Sequence, residues 1–402
     1  MEIVKWLRYQ FAKFIRWEYA WLFLVLAAIL AMHFSIINSP NEPLFDEKYY
    51  IQDARDILDR HAVTRWEHPP LGQLLITSGV FVFGDNQLGW RFLSVIFGVL
   101  SIVLFYLICR RLGMSKRTSY FATFILGFEN MNFLQASVAM LDVYTVTFML
   151  SAFWFYLRGN YLLTGIMICL STLAKLSGAM TLPIIAMHWL ILRRDRPVQF
   201  SASLILPILL FFELLPLLDF IVTGHFVDPV ARIFYLVVQT SKVTYSYATH
   251  PYAFRPWDWL IWPLVMPYWY KPYYTAAISF TVWALILPSV VYMIVRALKG
   301  NEAGVFGLMW FISTYLTLTL FSLIGDRITY LFYFYPTVGA ICIGIALGLS
   351  KLIDFDETRK SWIKWIAILG VSAFFILHIG AFVILSPIFA QQTTLIPSLN
   401  AP

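Results

Sequence analysis

Long apolar runs alternate with short polar segments along the chain. A run of about 17–25 apolar residues is long enough to cross the hydrocarbon core of a bilayer as a helix. Eleven runs are candidates: 19–38, 88–109, 119–136, 141–157, 161–174, 177–192, 201–223, 276–296, 304–324, 329–350 and 364–387. The pattern therefore predicts an all-α polytopic membrane protein with about eleven transmembrane helices, forming one domain over residues 1–402.

Two of these runs, 161–174 and 177–192, are short and lie on either side of the polar sequence Lys175-Leu176-Ser177-Gly178. A lysine and a glycine both disfavour one continuous apolar helix at this point. We therefore expect two helices that are joined by a tight turn.

Basic residues in the short loops fix the expected orientation. If the N-terminus is cytoplasmic, each short cytoplasmic loop is basic, with these positive charges near the spans: Arg110, Arg111, Lys116, Arg117, Arg158, Arg193, Arg194, Arg196, Arg296, Lys299, Lys351, Arg359, Lys360 and Lys364. The other side then holds Asp46, Glu47, Glu129, Asp142, His250 and Asp326. This distribution follows the positive-inside rule and predicts that the acidic residues lie on the non-cytoplasmic face.

Two long loops are expected on that face, over residues 39–87 and 224–275. In the first loop, apolar and charged residues alternate with helical periodicity from Glu47 to about Asp59, which predicts an amphipathic helix. After Pro69-Pro70, the segment Leu71–Phe83 is apolar but too short to span, which favours an interfacial or re-entrant helix. The second loop is rich in Trp and Tyr, as is typical of the aromatic belts at a membrane surface.

Composition supports lipid as the solvent of this chain. Hydrophobic residues make up 60% of the 402 residues and charged residues only 13%, whereas soluble domains carry roughly 25% charged residues. The net charge of +7 arises from short blocks between apolar runs, so we predict no nucleic-acid partner. The three cysteines lie in apolar runs without metal-ligand spacing, so no metal site or cofactor is predicted, and a divalent-metal requirement is left open.

The acidic pair Asp46-Glu47 stands just past the first apolar run. A structural explanation is that it caps the following helix, a role that suits Asp and is reinforced by acidic residues in the first turn. A functional explanation is that carboxylates near the membrane are costly and commonly belong to a site. Asp142, at the predicted non-cytoplasmic end of another run, has the same two explanations.

Basic residues on the same predicted face are candidates for holding an anion. They are Arg65, His68, Arg91, Lys175, Arg255, Lys271 and Arg327. Long basic side chains near helix ends commonly extend to the interface for hydration alone. Lys175 is the preferred anion ligand, because a lone cation in a tight turn between apolar helices has little structural purpose.

Several classes of function lack their motifs. The chain contains no phosphate-binding Gly-x-x-x-x-Gly-Lys loop and no Gly-x-Ser-x-Gly element of a serine hydrolase. The seven histidines are scattered, so a metal cluster is not indicated. The paired repeats that many secondary transporters carry are absent as well.

Four motifs together resemble the protein O-mannosyltransferase family. They are the Asp46-Glu47 pair, His68-Pro69-Pro70-Leu71-Gly72, Leu141-Asp142, and the stretch from His250-Pro251-Tyr252-Ala253 through Trp262-Pro263-Leu264 to Pro267-Tyr268-Trp269-Tyr270. The family belongs to the membrane glycosyltransferases of class C fold that use polyprenyl-phosphate sugars. The lipid A aminoarabinose transferases share this architecture and the first-loop acid.

The resemblance implies roles for individual residues. Asp46 corresponds to the key first-loop acid, Glu47 completes the pair, and Asp142 matches the second acid of the family. Lys175 and Arg91 resemble a lysine in an outward turn and an arginine near the start of the second span. Two departures stand out: the soluble lumenal domain of eukaryotic members is missing, which implies a minimal prokaryotic form, and Gln73 replaces the usual lysine.

The expected reaction is an inverting transfer of a sugar, with mannose as the expected one, from polyprenyl or dolichyl phosphate to a protein Ser or Thr hydroxyl. Asp46 is the expected base, and Glu47 orients the acceptor or shares its hydrogen bonds. Lys175, with Arg91 or Arg327, is expected beside the leaving phosphate. Asp142 is expected to position sugar hydroxyls or a partner side chain, and His68 and His250 complete the candidate substrate-binding residues.

Two alternatives stay open at this point. The same donor chemistry would serve a lipid or glycan acceptor, and a membrane transporter would use the acids along an ion path. We expect the protein in the cell membrane of a prokaryote, with its active site on the outer face. The identity of the sugar and the oligomeric state, a dimer included, cannot be predicted from the sequence.

Overall fold

A computed structural model describes residues 19–247, 250–354 and 360–388. The N-terminal basic residues, Arg359 and the C-terminal tail fall outside these ranges. The helices are α1 Ala20–Ile36, α2 Glu47–Arg60, α3 Leu71–Phe83, α4 Gln87–Arg111, α5 Lys116–Gly127, α6 Asn130–Ser137, α7 Leu141–Leu157, α8 Tyr161–Ala174, α9 Thr181–His188, α10 Pro197–Thr223, α11 Pro229–Lys242, α12 Asp258–Ile261, α13 Phe280–Trp283, α14 Ile286–Leu298, α15 Glu302–Ile324, α16 Tyr335–Leu352 and α17 Ser361–Leu385.

The fold is a helical bundle of a multi-pass integral membrane protein. Within the described residues, six continuous helical segments are long and apolar enough to span: Gln87–Arg111, Leu176–Arg193, Pro197–Thr223, Glu302–Ile324, Leu331–Leu352 and Ser361–Leu385. Helices α6 and α7 meet at 115° and add a seventh span if they count as one. The predicted all-α class is confirmed, and the count of eleven spans is not.

Broken helices explain most of the difference in the count. The run 119–136 divides into α5 and α6, since Glu129 caps α6 by accepting a hydrogen bond from Asn132 N at 2.9 Å. The run 276–296 begins in a strand and continues through α13 before α14. Helices α1 and α8 are apolar but shorter than 18 residues.

The turn after α8 is formed as the polar break predicts. Lys175 has extended backbone angles and ends α8, and a 3₁₀ turn over Leu176–Met180 leads into α9. Gly178 packs tightly against α8, because a Cβ at this position would lie 2.3 Å from the Ser171 backbone. The glycine therefore permits the close return of the chain.

Both helices predicted in the first long loop are present. Helix α2 buries Tyr50, Ala54 and Ile57 on one face, and Pro70 precedes the first residue of α3. Proline suits this boundary because it has no N–H to leave unsatisfied.

The second long loop contains a β-hairpin that the sequence did not predict. Strands β1 Val265–Tyr270 and β2 Tyr273–Ala277 pair antiparallel, with an irregularity between Pro267 and Trp269. Tyr268 and Tyr274 are buried inside the protein. These tyrosines are therefore part of the core rather than of a lipid-facing aromatic belt.

Candidate functional site

Acidic and basic side chains from five separate segments come together at one end of the bundle. Asp46 precedes α2, Asp142 lies in the first turn of α7, Lys175 ends α8, Arg65 and His68 lie in the turn before α3, and Arg327 follows α15. The charges of Lys175, Arg65 and Asp142 act on Asp46, and those of Lys175, Arg65 and Arg327 act on His68. We call Asp46, Arg65, His68, Asp142, Lys175 and Arg327 the Asp46 cluster.

Asp46 occupies the N-cap position of α2 but its carboxylate caps no N–H group. Within the described residues, no hydrogen bond or ion pair of this carboxylate is present. The preceding Phe45 has a φ of 48°, a left-handed conformation that a bulky residue rarely adopts. Such strain commonly occurs at functional sites. The capping explanation for Asp46 is therefore wrong, and its carboxylate is available to a ligand.

Burial raises the pKa of the Asp46 carboxyl above its usual value. The positive charges of Lys175, Arg65 and Lys48 oppose this increase, whereas Asp142 adds to it. A carboxylate with a raised pKa is a stronger proton acceptor when ionised.

Asp142 and Lys175 form a nearly buried ion pair. Lys175 Nζ lies 2.8 Å from Asp142 Oδ1 and 2.9 Å from Oδ2, with side-chain exposures of 14% and 3%. The ammonium also lies 5.4 Å from the ring centroids of Phe332 and Tyr333. Asp142 therefore contacts a basic side chain, and its expected role of positioning a partner side chain stays a prediction.

Glu47 differs sharply from its neighbour Asp46. Its carboxylate and the Arg91 guanidinium are both 0% exposed and form two bonds of 2.9 Å. Glu47 also accepts hydrogen bonds from the backbone N–H groups of Leu44 and Ala139. Arg91 donates its remaining N–H groups to the carbonyls of Ile37, Ser39, Pro40 and Glu42.

This Glu47–Arg91 pair fixes the chain between α1 and α2 and so directs Asp46. Removing one partner of such a buried pair costs about 3–5 kcal/mol. All polar atoms of the pair are occupied by protein, so the structure leaves Glu47 no free oxygen for an acceptor and Arg91 no free donor for phosphate.

Aromatic rings surround the Asp46 cluster. Phe45 stacks on Tyr268 with ring centroids 4.3 Å apart and meets Phe332 edge-on at 5.7 Å. The Tyr268 hydroxyl also accepts a hydrogen bond of 3.0 Å from Gln135 Nε2. Because these rings exclude water, they strengthen the electrostatic interactions within the cluster.

Arg327 is the cation of the cluster without a counter-ion. Its Nη1 is buried and has no hydrogen-bond partner, and none of the ion pairs among the described residues includes it. Neighbouring Asp326 pairs instead with Arg255 at 2.6 Å. An unsatisfied guanidinium is well suited to an anionic ligand.

His68 and His250 take different positions. Burial, together with the charges of Lys175 and Arg65, lowers the pKa of His68 to about 3, so its imidazole is neutral near pH 7. His250 is exposed, accepts a hydrogen bond from Tyr252 N at 3.2 Å and lies edge-on to Tyr330. His250 is thus at the rim of the cluster rather than within it.

Gln73, at the position of the usual lysine, is buried. Its Nε2 donates to Asp53 Oδ2 and to the Arg65 carbonyl, both at 3.1 Å. Asp53 also accepts from Thr64 and from Arg65 N. Gln73 therefore supports the turn that carries Arg65. In the described ranges, no three His, Cys, Asp or Glu side chains lie together as a metal site would require.

Comparison with known proteins supports the family resemblance. Residues 67–218 match the family model of dolichyl-phosphate-mannose-protein mannosyltransferase. A polyprenol-phosphate-mannose–protein mannosyltransferase of Mycolicibacterium smegmatis is 34% identical over 146 residues, which cover 34% of this chain and 28% of the relative. The resemblance to the protein O-mannosyltransferase family is thus confirmed for this part of the chain, which spans less than a third of the length of that relative.

A second relative matches over a longer stretch. An undecaprenyl phosphate-α-4-amino-4-deoxy-L-arabinose arabinosyl transferase of Pseudomonas fluorescens is 26% identical over 351 residues, which cover 82% of this chain and 56% of the relative.

The S. cerevisiae protein O-mannosyltransferase complex bound to its sugar donor has a chain of similar fold, with a TM-score of 0.71 at 11% identity, covering 92% of this chain and 90% of that one. The predicted class C glycosyltransferase fold is confirmed.

Proposed function

We propose that this chain is an inverting glycosyltransferase that moves mannose from a polyprenyl-phosphate donor to a Ser or Thr hydroxyl of a protein. One observation carries the proposal: the unpaired Asp46 carboxylate and the unpaired Arg327 guanidinium share one aromatic-lined cluster with Lys175. The family match over residues 67–218 and the name of the mycolicibacterial relative support mannose as the sugar.

Asp46 is the proposed general base. A hydroxyl is a weak nucleophile, and a carboxylate within about 2.6–3.2 Å removes its proton as the new bond to the anomeric carbon forms. The bond between that carbon and the phosphate oxygen breaks at the same time, and the electron pair leaves with the phosphate. Attack opposite the leaving group inverts the anomeric centre.

Cations of the cluster are proposed to stabilise the leaving phosphate, whose negative charge increases as the bond breaks. Arg327 has free hydrogen-bonding capacity, and Lys175 keeps one N–H beyond the two that face Asp142. Arg91 is not proposed for this role, since its donors are occupied by Glu47 and backbone carbonyls. Glu47 is proposed to direct Asp46 through the backbone, without touching the acceptor.

The acceptor has one specific alternative. The alignment with the arabinosyl transferase of Pseudomonas fluorescens covers 82% of this chain. Transfer of a sugar from a polyprenyl-phosphate donor to a lipid acceptor is therefore the second candidate function. The cluster does not discriminate between a peptide and a lipid hydroxyl, because a carboxylate activates either one.

The proposed setting is the cell membrane of a prokaryote, with a cytoplasmic N-terminus and the Asp46 cluster on the outer face. Two side chains from different loops that are predicted to be cytoplasmic meet at Leu157, at the other end of α7 from Asp142. Arg111 and Arg193 both donate to the Leu157 carbonyl, at 3.0 and 3.2 Å. This supports one common side for the basic loops.

A donor and acceptor panel tests the proposal. Purified protein is incubated with labelled polyprenyl-phosphate mannose, glucose and aminoarabinose, each with a Ser/Thr-rich peptide or with lipid A, and the product masses are recorded. We expect a hexose-modified peptide from the mannose donor. Modification of lipid A alone would favour the second candidate, and no product from any donor would contradict both.

A further inference from the structure

A buried ion pair outside the Asp46 cluster joins the end of the spanning helix α10 to α11 in the second long loop. Asp219, in the last turns of α10, is 1% exposed, and Arg232, in α11, is 3% exposed. Arg232 Nε lies 2.9 Å from Asp219 Oδ2. Burying such a pair gains little stability over apolar side chains of the same size, because both charges lose their hydration. The pair therefore suggests a role other than stability.

The remaining donors of Arg232 reach the turn that carries His68. Its Nη1 donates to the Trp66 carbonyl at 2.5 Å and its Nη2 to the His68 carbonyl at 3.1 Å. The guanidinium also lies 4.4 Å from the Trp66 ring. The planar guanidinium of Arg232 thus contacts a carboxylate, two carbonyls and an aromatic ring, a set of contacts that lysine cannot reproduce.

This turn places two members of the Asp46 cluster. The His68 ring lies 6.0 Å from that of Tyr50, and the Arg65 guanidinium lies 3.6 Å from the Tyr49 ring. From the other side, Asp53 holds the turn through the backbone N–H groups of Thr64 and Arg65. Arg232 holds the carbonyls of Trp66 and His68, and Gln73 holds that of Arg65.

The opposite face of helix α11 is apolar and exposed. Val230, Phe234 and Val237 on that face are 66%, 71% and 58% exposed. In a membrane protein such apolar residues face lipid. The Arg232 face is therefore the one through which α11 acts on the protein interior.

We propose that Arg232, oriented by Asp219, is a positioning residue for the transfer reaction. Its guanidinium fixes the turn of residues 65–70, so that the side chains of Arg65 and His68 keep their places beside Asp46. This proposal rests on the proposed function for its effect on catalysis, but the hold on the turn is measurable without any reaction.

The test compares Arg232→Met and Arg232→Lys with the wild type. Arg232→Lys keeps the charge beside Asp219, so we expect it to fold even if the methionine variant does not, but it loses the guanidinium that reaches both carbonyls. The matched control is Arg193→Met, because Arg193 also joins an acid, Glu302 at 2.8 Å, to a carbonyl, that of Leu157. Arg193 lies at the other end of α7 from the Asp46 cluster.

Three quantities are measured for each variant: kcat/KM for mannose transfer, its pH profile, and hydrogen–deuterium exchange of the amides of residues 64–68. For both Arg232 variants we expect kcat/KM at least fivefold lower and exchange of these amides at least tenfold faster. The acidic limb of the kcat/KM profile should move to higher pH. Arg65, whose charge lowers the pKa of Asp46, would leave its place, whereas Lys175, Lys48 and Asp142 would stay. The control should stay within twofold of the wild type.

If both Arg232 variants keep the kcat/KM and the pH profile of the wild type, the positioning role is overturned, whatever the hydrogen–deuterium exchange shows. If the wild type transfers no sugar, the proposed function fails separately. The hydrogen–deuterium exchange then tests whether Arg232 holds the turn. Unchanged protection of the amides of residues 64–68 in both variants would show that it does not.

Discussion

Adjacent residues in this chain can have opposite environments, as Asp46 and Glu47 show. Glu47 is fully buried against Arg91, whereas the Asp46 carboxylate has no protein partner among the described residues. The sequence predicts the pair as a site because two acids beside a membrane-length run need a reason. It does not predict which acid is free, since that depends on Arg91, 44 residues away along the chain.

The protonation of Asp46 should set the acidic limb of the activity profile. Burial raises its pKa, so activity should fall as the pH decreases through a value above that of an ordinary aspartate. Arg65→Gln removes a charge that lowers this pKa, so the limb should shift to higher pH. The check is kcat/KM for mannose transfer against pH.

The control for this shift is Arg55→Gln. Arg55 pairs with Asp85 at 2.8 Å on an exposed surface and is not among the charges that act on Asp46. Its limb should coincide with that of the wild type. If the Arg65→Gln limb moves to lower pH or does not move, Asp46 is not the group that titrates.

At the scale of elements, the sequence pattern predicted the helices of the first long loop better than the structure of the second long loop. Helices α2 and α3 follow from an amphipathic pattern and from Pro69-Pro70. The β-hairpin was not predicted, because its closely spaced Trp and Tyr residues are equally typical of an interfacial belt. Its tyrosine Tyr268 reaches the Asp46 cluster, and only the family motif that contains it pointed to this residue.

The packing of α3 is predicted to control the alignment of the Asp46 cluster. A Cβ at Gly72 would lie 2.8 Å from Leu141 Cδ2 and 2.9 Å from the Ala174 carbonyl, and these residues precede Asp142 and Lys175. Gly72→Val should destabilise the protein by about 1–3 kcal/mol and reduce mannose transfer at least tenfold. Thermal unfolding and kcat/KM measure the two effects.

A second glycine provides the comparison. At Gly370, in α17, a Cβ would meet no atom within 4 Å. Gly370→Val should therefore keep both the unfolding temperature and the activity of the wild type. Equal losses in the two variants would show that close packing at Gly72 has no special role.

At the scale of the whole molecule, the bundle and the grouping of its charged loops follow from hydropathy and charge. The number of spans does not, because a single apolar run can contain a broken helix, as the run 119–136 contains α5 and α6. Which end faces the cytoplasm is a prediction from charge alone.

The orientation can be measured with single cysteines. The native Cys109, Cys169 and Cys342 are buried, so they give a low background with an impermeant maleimide. Lys271→Cys, exposed in the hairpin turn, should be labelled on intact cells, whereas Lys299→Cys, exposed after α14, should require permeabilised cells. The reverse pattern would place the Asp46 cluster on the cytoplasmic side.

The central claim is that Asp46 removes the proton of the acceptor hydroxyl, and Asp46→Asn tests it most directly. The amide has the shape of the carboxylate but cannot act as the base, so transfer from polyprenyl-phosphate mannose to a Ser/Thr peptide should fall by about 10²–10⁴-fold. The unfolding temperature should change little, because the carboxylate has no hydrogen bond or ion pair within the part of the chain that the structure describes. Transfer at the wild-type rate by a folded Asp46→Asn protein would contradict the account.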